Sequence, residues 1–168
     1  EDLLTETRTS QLAIYVTSIA ILRVIQELYN LKPTSCAGLS LGEYTALTAG
    51  EWLSFHETLL LVQKRGEFMH EACQATQGTM AAVIGLNITD IKDVVQSVNL
   101  PQDLWIANFN CPGQIVLSGT TKGIKAGSKQ ALLKGAKKVV PLEVAGAFHS
   151  GLMHQAEKKF APFIEQSS

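Results

Sequence analysis

Gly38-Leu39-Ser40-Leu41-Gly42 sets a serine between two glycines in the pattern GxSxG. A tight turn from a strand into a helix with this pattern holds the serine hydroxyl exposed at the positive end of the helix. Small residues are expected on both flanks, because the backbone folds back on itself there. The amide of Leu41 then faces the place where an oxyanion would develop. The plain alternative is a glycine-rich turn carrying an incidental serine. A hydroxyl nucleophile needs a base to take its proton, and four histidines are available: His56, His70, His149 and His154. His56 and His70 fall early and late on one expected helix, and His154 follows a loop by about one helical turn. His149 ends the loop Ala145-Gly146-Ala147-Phe148 between a strand and a helix, where functional residues concentrate, and is favoured over the other three. Arg65 stands beside Gly66 inside a helix, where glycine costs about 1 kcal/mol relative to alanine. Close approach by substrate or by packing is expected at that point. On residues alone, an ordinary exposed helix arginine is the simpler reading.

These residues need elements to hold them. Ser10 is expected to cap a helix reaching about Asn30, with Leu12, Tyr15, Ile19, Leu22, Ile25 and Tyr29 on its apolar face. Ser35–Leu39 reads as a short buried strand leading into the turn at Ser40. A helix over Glu43–Ala49 is closed by Gly50, and Ser54 with Glu57 forms a capping box for a helix over Phe55–Gln74. Strands are expected over Thr79–Leu86, Leu104–Phe109, Gln114–Ser118 and Lys137–Val144. Helices are expected from Thr89 or Asp90 to Val98 and over Thr121–Lys134. That β-α-β-β-α-β order is the ferredoxin-like arrangement. A last helix, Ser150–Ile164, is bent or ended near Pro162. The expected fold class is therefore α/β: a catalytic lobe from residues 1–75 and 146–168, with a small lobe, 76–145, inserted between serine and histidine.

Composition bounds the setting. With 168 residues, 46% hydrophobic and 17% charged, the chain has the make-up of a globular protein. A formal net charge of -1 offers no electrostatic attraction to nucleic acid or to an anionic membrane. Cys36, Cys73 and Cys111 are odd in number and lack metal-ligand spacing, which argues against a disulfide framework or a zinc site and for a cytoplasmic location. The apolar run Leu12–Leu31 carries Arg23, Gln26 and Glu27 at helical spacing, so it is expected to be a buried amphipathic helix rather than a membrane span.

Four segments resemble one family. Gly38-Leu39-Ser40-Leu41-Gly42-Glu43-Tyr44 resembles the GHSLGE(Y/F) box of malonyl-CoA:acyl-carrier-protein transacylases and of the acyltransferase domains of polyketide and fatty-acid synthases. Arg65-Gly66 through Met69 resembles the family's RGxxM segment. Asn108 through Gly119 resembles its N-x-N-x-P-x-Q-x-V-x-S-G stretch, and Gly146-Ala147-Phe148-His149-Ser150 with Met153 its FHSxxM box. The resemblance implies an α/β-hydrolase-like lobe and an acyl transfer in two halves, with Ser40 as nucleophile and His149 as base. It implies that Arg65 pairs with the malonyl carboxylate, Leu41 supplies an oxyanion amide, Asn108 contacts the CoA or pantetheine, and Phe148 leaves little room for an α-methyl group. It further implies malonyl-CoA as substrate, acyl carrier protein as partner, and no resident cofactor, the phosphopantetheine being carried by the partner. Leu39 stands where the family usually has histidine. The family's N-terminal GQGSQ segment and its C-terminal glutamine segment have no counterpart here, so a central portion of such an enzyme is expected. The rival readings are a serine hydrolase or thioesterase, a polyketide synthase acyltransferase domain, and a non-catalytic module that binds a carrier protein.

Overall fold

The computed structural model describes residues 2–167, with side chains from residue 4 onward. In chain order the elements are α1 (Asp2–Thr5), α2 (Thr7–Tyr29), α3 (Leu41–Ala49), α4 (Phe55–Ala75), β1 (Gly78–Ile84), α5 (Ile88–Val98), β2 (Leu104–Cys111), β3 (Gln114–Thr120), α6 (Thr121–Leu133), β4 (Lys138–Leu142) and α7 (His154–Glu165), with a 3-10 turn at Gly151–Met153. The chain divides into two compact units, Glu1–His70 with Glu157–Ser168, and Glu71–Ala156.

The first unit is helical among the described residues. Thr7, Gln11, Tyr15 and Ile19 recur every four residues along α2 and form its buried stripe. Tyr15 stacks on Phe55 with ring centroids 5.5 Å apart. The Tyr15 hydroxyl lies 2.8 Å from Thr48 Oγ1, which donates in turn to Thr58 Oγ1 at 2.8 Å. This chain of hydroxyls, buried at Tyr15 and Thr58 and half-buried at Thr48, ties α2, α3 and α4 together while satisfying every member, as a buried polar group requires. The Ser54–Glu57 capping box is present: Ser54 N donates to Glu57 Oε2 at 3.0 Å and Glu57 N to Ser54 Oγ at 3.2 Å.

Three local expectations change in this unit. Ser10 does not cap α2. The amides of Thr9 and Ser10 already bond to the Glu6 carbonyl, so the helix begins at Thr7 and Ser10 lies inside it. Ser35–Leu39 is exposed and irregular rather than a buried strand, because a strand exists by pairing and this unit holds no other described strand. The burial expected for α2 holds for one stripe only. Ile25 and Tyr29, together with Ile14, Ile21, Val24 and Leu28, are exposed, because α3 and α4 cover a single side of the helix. By length and composition alone α2 is one helix that could cross a membrane.

The second unit contains a four-stranded antiparallel sheet in the order β2-β3-β1-β4. The period-2 alternation of strand side chains sorts its residues onto two faces. Ala81, Val83, Ile115 and Leu117 join Ile91 and Val94 of α5 and Ile124 and Ala131 of α6 in the larger core. Met80, Ala82 and Val116 face the other way, where Val144 and Phe148 pack on them. Asn87, rather than Thr89 or Asp90, caps α5, its side chain accepting from Asp90 N at 2.9 Å. Residues 146–156 belong to this unit, whereas the sequence reading grouped them with the serine. The reason is close packing: a Cβ on Gly146 would overlap Cys73 Sγ, one on Gly78 would lie 2.6 Å from Ala147 Cβ, and one on Gly151 would lie 2.6 Å from the Trp105 ring.

Candidate active site

Ser40 precedes α3 with φ 54° and ψ −111°, a conformation that L-residues rarely adopt. Such strain persists only where neighbours enforce it, and it concentrates at functional positions. Gly38 enforces it here, since a Cβ at that position would overlap the carbonyl of Gly42. The flanks are not equivalent, however: a Cβ on Gly42 would meet nothing within 4 Å. The expectation that both glycines are required is thus met by Gly38 alone. Ser40 occupies the position of a helix cap, yet its side chain does not cap α3. Its hydroxyl instead accepts a hydrogen bond from Arg65 Nη2 at 2.9 Å. Leu41 is the first residue of α3, so its N–H has no acceptor within the helix and lies at the positive end of the helix dipole. Leu39 is exposed.

Arg65 comes from the middle of α4, twenty-five residues after Ser40, and is half-buried rather than an exposed helix arginine. Gly66 explains how α4 brings it there: a Cβ on Gly66 would lie 3.0 Å from the Arg8 Cα, so α2 and α4 touch backbone to backbone. The guanidinium lies over the Tyr44 ring, 5.5 Å from its centroid, and Nη1 donates to Gln11 Oε1. Burial lowers the Arg65 pKa from its ordinary value, opposed by Tyr44 and Glu43, and an arginine so far above neutrality stays charged. Burial likewise raises the Tyr44 phenol, opposed by Arg65. The arrangement sets a cation directly beside a hydroxyl, which suits a ligand with an anionic end. Gln11 and Tyr44 did not stand out in the sequence as site residues. The available signal for Gln11 was a polar residue on the stripe Thr7, Gln11, Tyr15, Ile19.

The second unit places Asn108, Phe148 and His149. His149 is exposed, with φ 57°. Its loop is strapped on both sides: Ser150 Oγ donates to the Ala147 carbonyl at 2.6 Å and accepts from Leu152 N at 3.2 Å, and Phe148 N donates to the Gly146 carbonyl at 3.1 Å. Phe148 is anchored against the cluster of Met80, Ala82 and Val116, so the residue before His149 is held by packing. Asn108 is half-buried on β2, beside an irregularity in the pairing with β3. Of the remaining histidines, His56 and His154 are exposed and His70 is half-buried. Ser40, Leu41 and Arg65 are thus gathered in one unit, and Asn108, Phe148 and His149 in the other. Among the described residues no group of three or more histidine, cysteine or acidic side chains is arranged to hold a metal ion.

Comparison with known proteins gives these residues a family. A model described as acyl transferase domain matches residues 1–165. The malonyl CoA-acyl carrier protein transacylase of Bacillus subtilis (strain 168) is 46% identical over 163 residues, a match covering 96% of this chain and 51% of that protein. Its counterpart from Staphylococcus aureus (strain MRSA252) is 40% identical over 167 residues, covering 99% of this chain and 53% of that protein. Among solved structures, the MCAT of Streptococcus pneumoniae superposes with a TM-score of 0.92 at 40% identity, covering 99% of this chain and 54% of that one. The PlMCAT:AntF structure, a type II PKS acyl-carrier protein in complex with its malonyl-transacylase, superposes at 0.93 with 35% identity, covering 99% and 54%. The chain spans about half the length of the curated relatives it matches. A serine held in a strained turn ahead of a helix, an arginine reaching it from the next helix, and a family match over 1–165 converge on one assignment: the chain belongs to the acyl transferase domain family.

Proposed function

We propose that this chain carries the reacting residues of an [acyl-carrier-protein] S-malonyltransferase of fatty-acid synthesis. The observation that carries the reading is the hydrogen bond from Arg65 to Ser40 Oγ, which sets a fixed positive charge next to the hydroxyl. In this reading Ser40 Oγ attacks the thioester carbonyl of malonyl-CoA as His149 takes its proton. The oxyanion accepts from the Leu41 amide, the carbon–sulfur bond breaks, and the CoA sulfur leaves with the proton from His149. Malonate is then an ester on Ser40. In the second half the phosphopantetheine thiol of acyl carrier protein gives its proton to His149 and attacks the ester carbonyl; the bond from the acyl carbon to Ser40 Oγ breaks, and Oγ takes the proton back from His149. Arg65 pairs with the free malonyl carboxylate, for which a planar guanidinium offers two parallel donors. Asn108 contacts the CoA or pantetheine, and Phe148 disfavours an α-methyl group, a discrimination of about 1–3 kcal/mol.

The first unit is the α/β-hydrolase-like lobe in this reading, supported by the turn geometry at Ser40. The second is the inserted ferredoxin-like lobe, supported by its element order and by the sheet order β2-β3-β1-β4. No resident cofactor is required, and neither nucleic acid nor membrane is a partner. A cytoplasmic site is supported by three cysteines that are all unpaired. The names of the relatives and the carrier-protein complex of the PlMCAT:AntF structure favour transfer over hydrolysis. The test is the intact mass of the protein as its gene encodes it, after incubation with malonyl-CoA. Addition of one malonyl group, lost in Ser40→Ala, is the expected result. Label that persists in Ser40→Ala, or that maps to Cys36 or Cys111, overturns the assignment of the nucleophile.

A further inference from the structure

We propose that Trp105 is a positioning residue for His149, acting through its contact with Gly151. This rests on the reading of His149 as the base that takes the Ser40 proton. His149 is exposed and holds φ 57°, in the left-handed region that a residue with a side chain rarely occupies. Such a backbone persists only where the surrounding structure fixes it. The sheet supplies that structure. Trp105 of β2, Ser118 of β3, Met80 of β1 and Leu142 of β4 stand opposite one another in register, so they form one row across the sheet. Directly paired residues share a face, and this is the face on which Phe148 packs. Phe148, immediately before His149, is anchored at the cluster that contains Met80. Gly151, two residues after His149, is anchored on the Trp105 ring. The base therefore lies between two anchors on one face of one sheet.

The second anchor is tight. A Cβ on Gly151 would come within 2.6 Å of Trp105 Cζ2 and 3.0 Å of Cε2, so any residue with a side chain at 151 must displace either the ring or the loop. Polar contacts do not replace this packing. The two hydrogen bonds of the Ser150 hydroxyl stay within the loop, to the Ala147 carbonyl and the Leu152 amide, and set its shape rather than its place on the sheet. Ser118, between the anchors in the row, is fully buried, and its hydroxyl is without a hydrogen-bond partner among the described residues. Trp105 itself sits on the edge strand β2 and is only half-buried, so its ring serves the loop more than the core. Proton transfer requires the base within hydrogen-bond reach of the proton, and a misplacement of about 1 Å can cost about 10²-fold in rate. An aromatic ring that sets the height of the loop thereby sets the reach of its histidine.

The experiment measures the maximal rate of acylation by malonyl-CoA, and the concentration giving half of it, in the protein as its gene encodes it. Trp105→Ala is expected to lower the maximal rate by about ten- to a hundredfold. The half-saturating concentration should stay near wild type, because Ser40 and Arg65 belong to the other unit. In a His149→Ala background Trp105→Ala should cost nothing further, since residues acting through one another are not additive. Gly151→Ala and Trp105→Phe should each lower the rate, the first by pushing on the ring and the second by shrinking it. Combined, the added methyl fills the space the smaller ring leaves, and the rate should recover. Melting temperatures show which variants are folded. If Trp105→Ala is not, the size exchange decides alone: recovery supports the inference and its absence overturns it. A wild-type rate in folded Trp105→Ala, or an undiminished further loss in the His149→Ala background, overturns it while the role of His149 stands. A wild-type rate in His149→Ala overturns both.

Discussion

Gly38→Ala and Gly42→Ala look equivalent in the pattern GxSxG, and the structure predicts opposite outcomes for them. A Cβ on Gly38 would overlap the carbonyl carbon and oxygen of Gly42 and press on Glu43 N. All three are backbone atoms in the first turn of α3, so no rotamer change relieves the clash. Forcing extra volume into a closed site costs about 1–3 kcal/mol. At Gly42 the added methyl group meets nothing within 4 Å, and alanine replaces glycine in a helix, a gain of up to about 1 kcal/mol. For a chain of this size 1 kcal/mol shifts Tm by about 2–4 °C. Gly38→Ala should therefore lower Tm by about 2–12 °C, and Gly42→Ala should leave it unchanged or raise it by about 2–4 °C. The assay is thermal unfolding followed by circular dichroism, paired with acylation of Ser40 measured by intact mass. Gly38→Ala must move the start of α3 and with it Ser40, so acylation falls, whereas Gly42→Ala keeps it. Equal destabilisation by the two substitutions, or a silent Gly38→Ala, would show that the turn is not held by this contact.

Replacing His149 with alanine should slow acylation by about 10²–10⁴-fold, the usual worth of positioned proton transfer, while His56→Ala and His154→Ala leave the rate near wild type. A dispensable His149 would remove it from the mechanism. The Glu57 carboxyl is held below its ordinary value by hydrogen bonds from the side chain and backbone of Ser54. A carboxylate whose folded value is depressed adds stability above its unfolded value, near 4.3, and loses it as pH falls through the lower folded value. The Tm advantage of wild type over Glu57→Gln should thus be full at neutral pH and shrink below about pH 4; a gap that ignores pH would contradict the capping box as its source. Burial raises the Cys73 thiol, and Cys36 and Cys111 are exposed. Iodoacetamide at neutral pH should therefore label Cys36 and Cys111 first, since thiolate and access both govern the rate, and early modification of Cys73 would contradict its packing against Gly146.

Local signals in the sequence were enough for much of this protein. Ser54 and Glu57 specify a capping box whose partners lie three residues apart, so no tertiary information is needed to recognise it. The β-α-β-β-α-β order of 78–142 follows from alternation and turn residues, which are local as well. The turn at Ser40 and the loop at His149 were legible as candidates because short motifs carry their backbone demands, whereas Arg65 stood out only through the family resemblance. What was not legible depends on partners far along the chain. Ser35–Leu39 has the composition of a strand, yet strand formation needs a neighbour, and its unit has none among the described residues. The apolar positions of α2 gave a period, but only the placement of α3 and α4 decided that Gln11 and Tyr15 are covered and Tyr29 is not. The unequal needs of Gly38 and Gly42 arise from where the carbonyl of Gly42 points, which no residue pattern records. Gln11 meets Arg65 only because Gly66 lets two helices touch at their backbones, and contact across fifty-four residues of chain is a property of the fold.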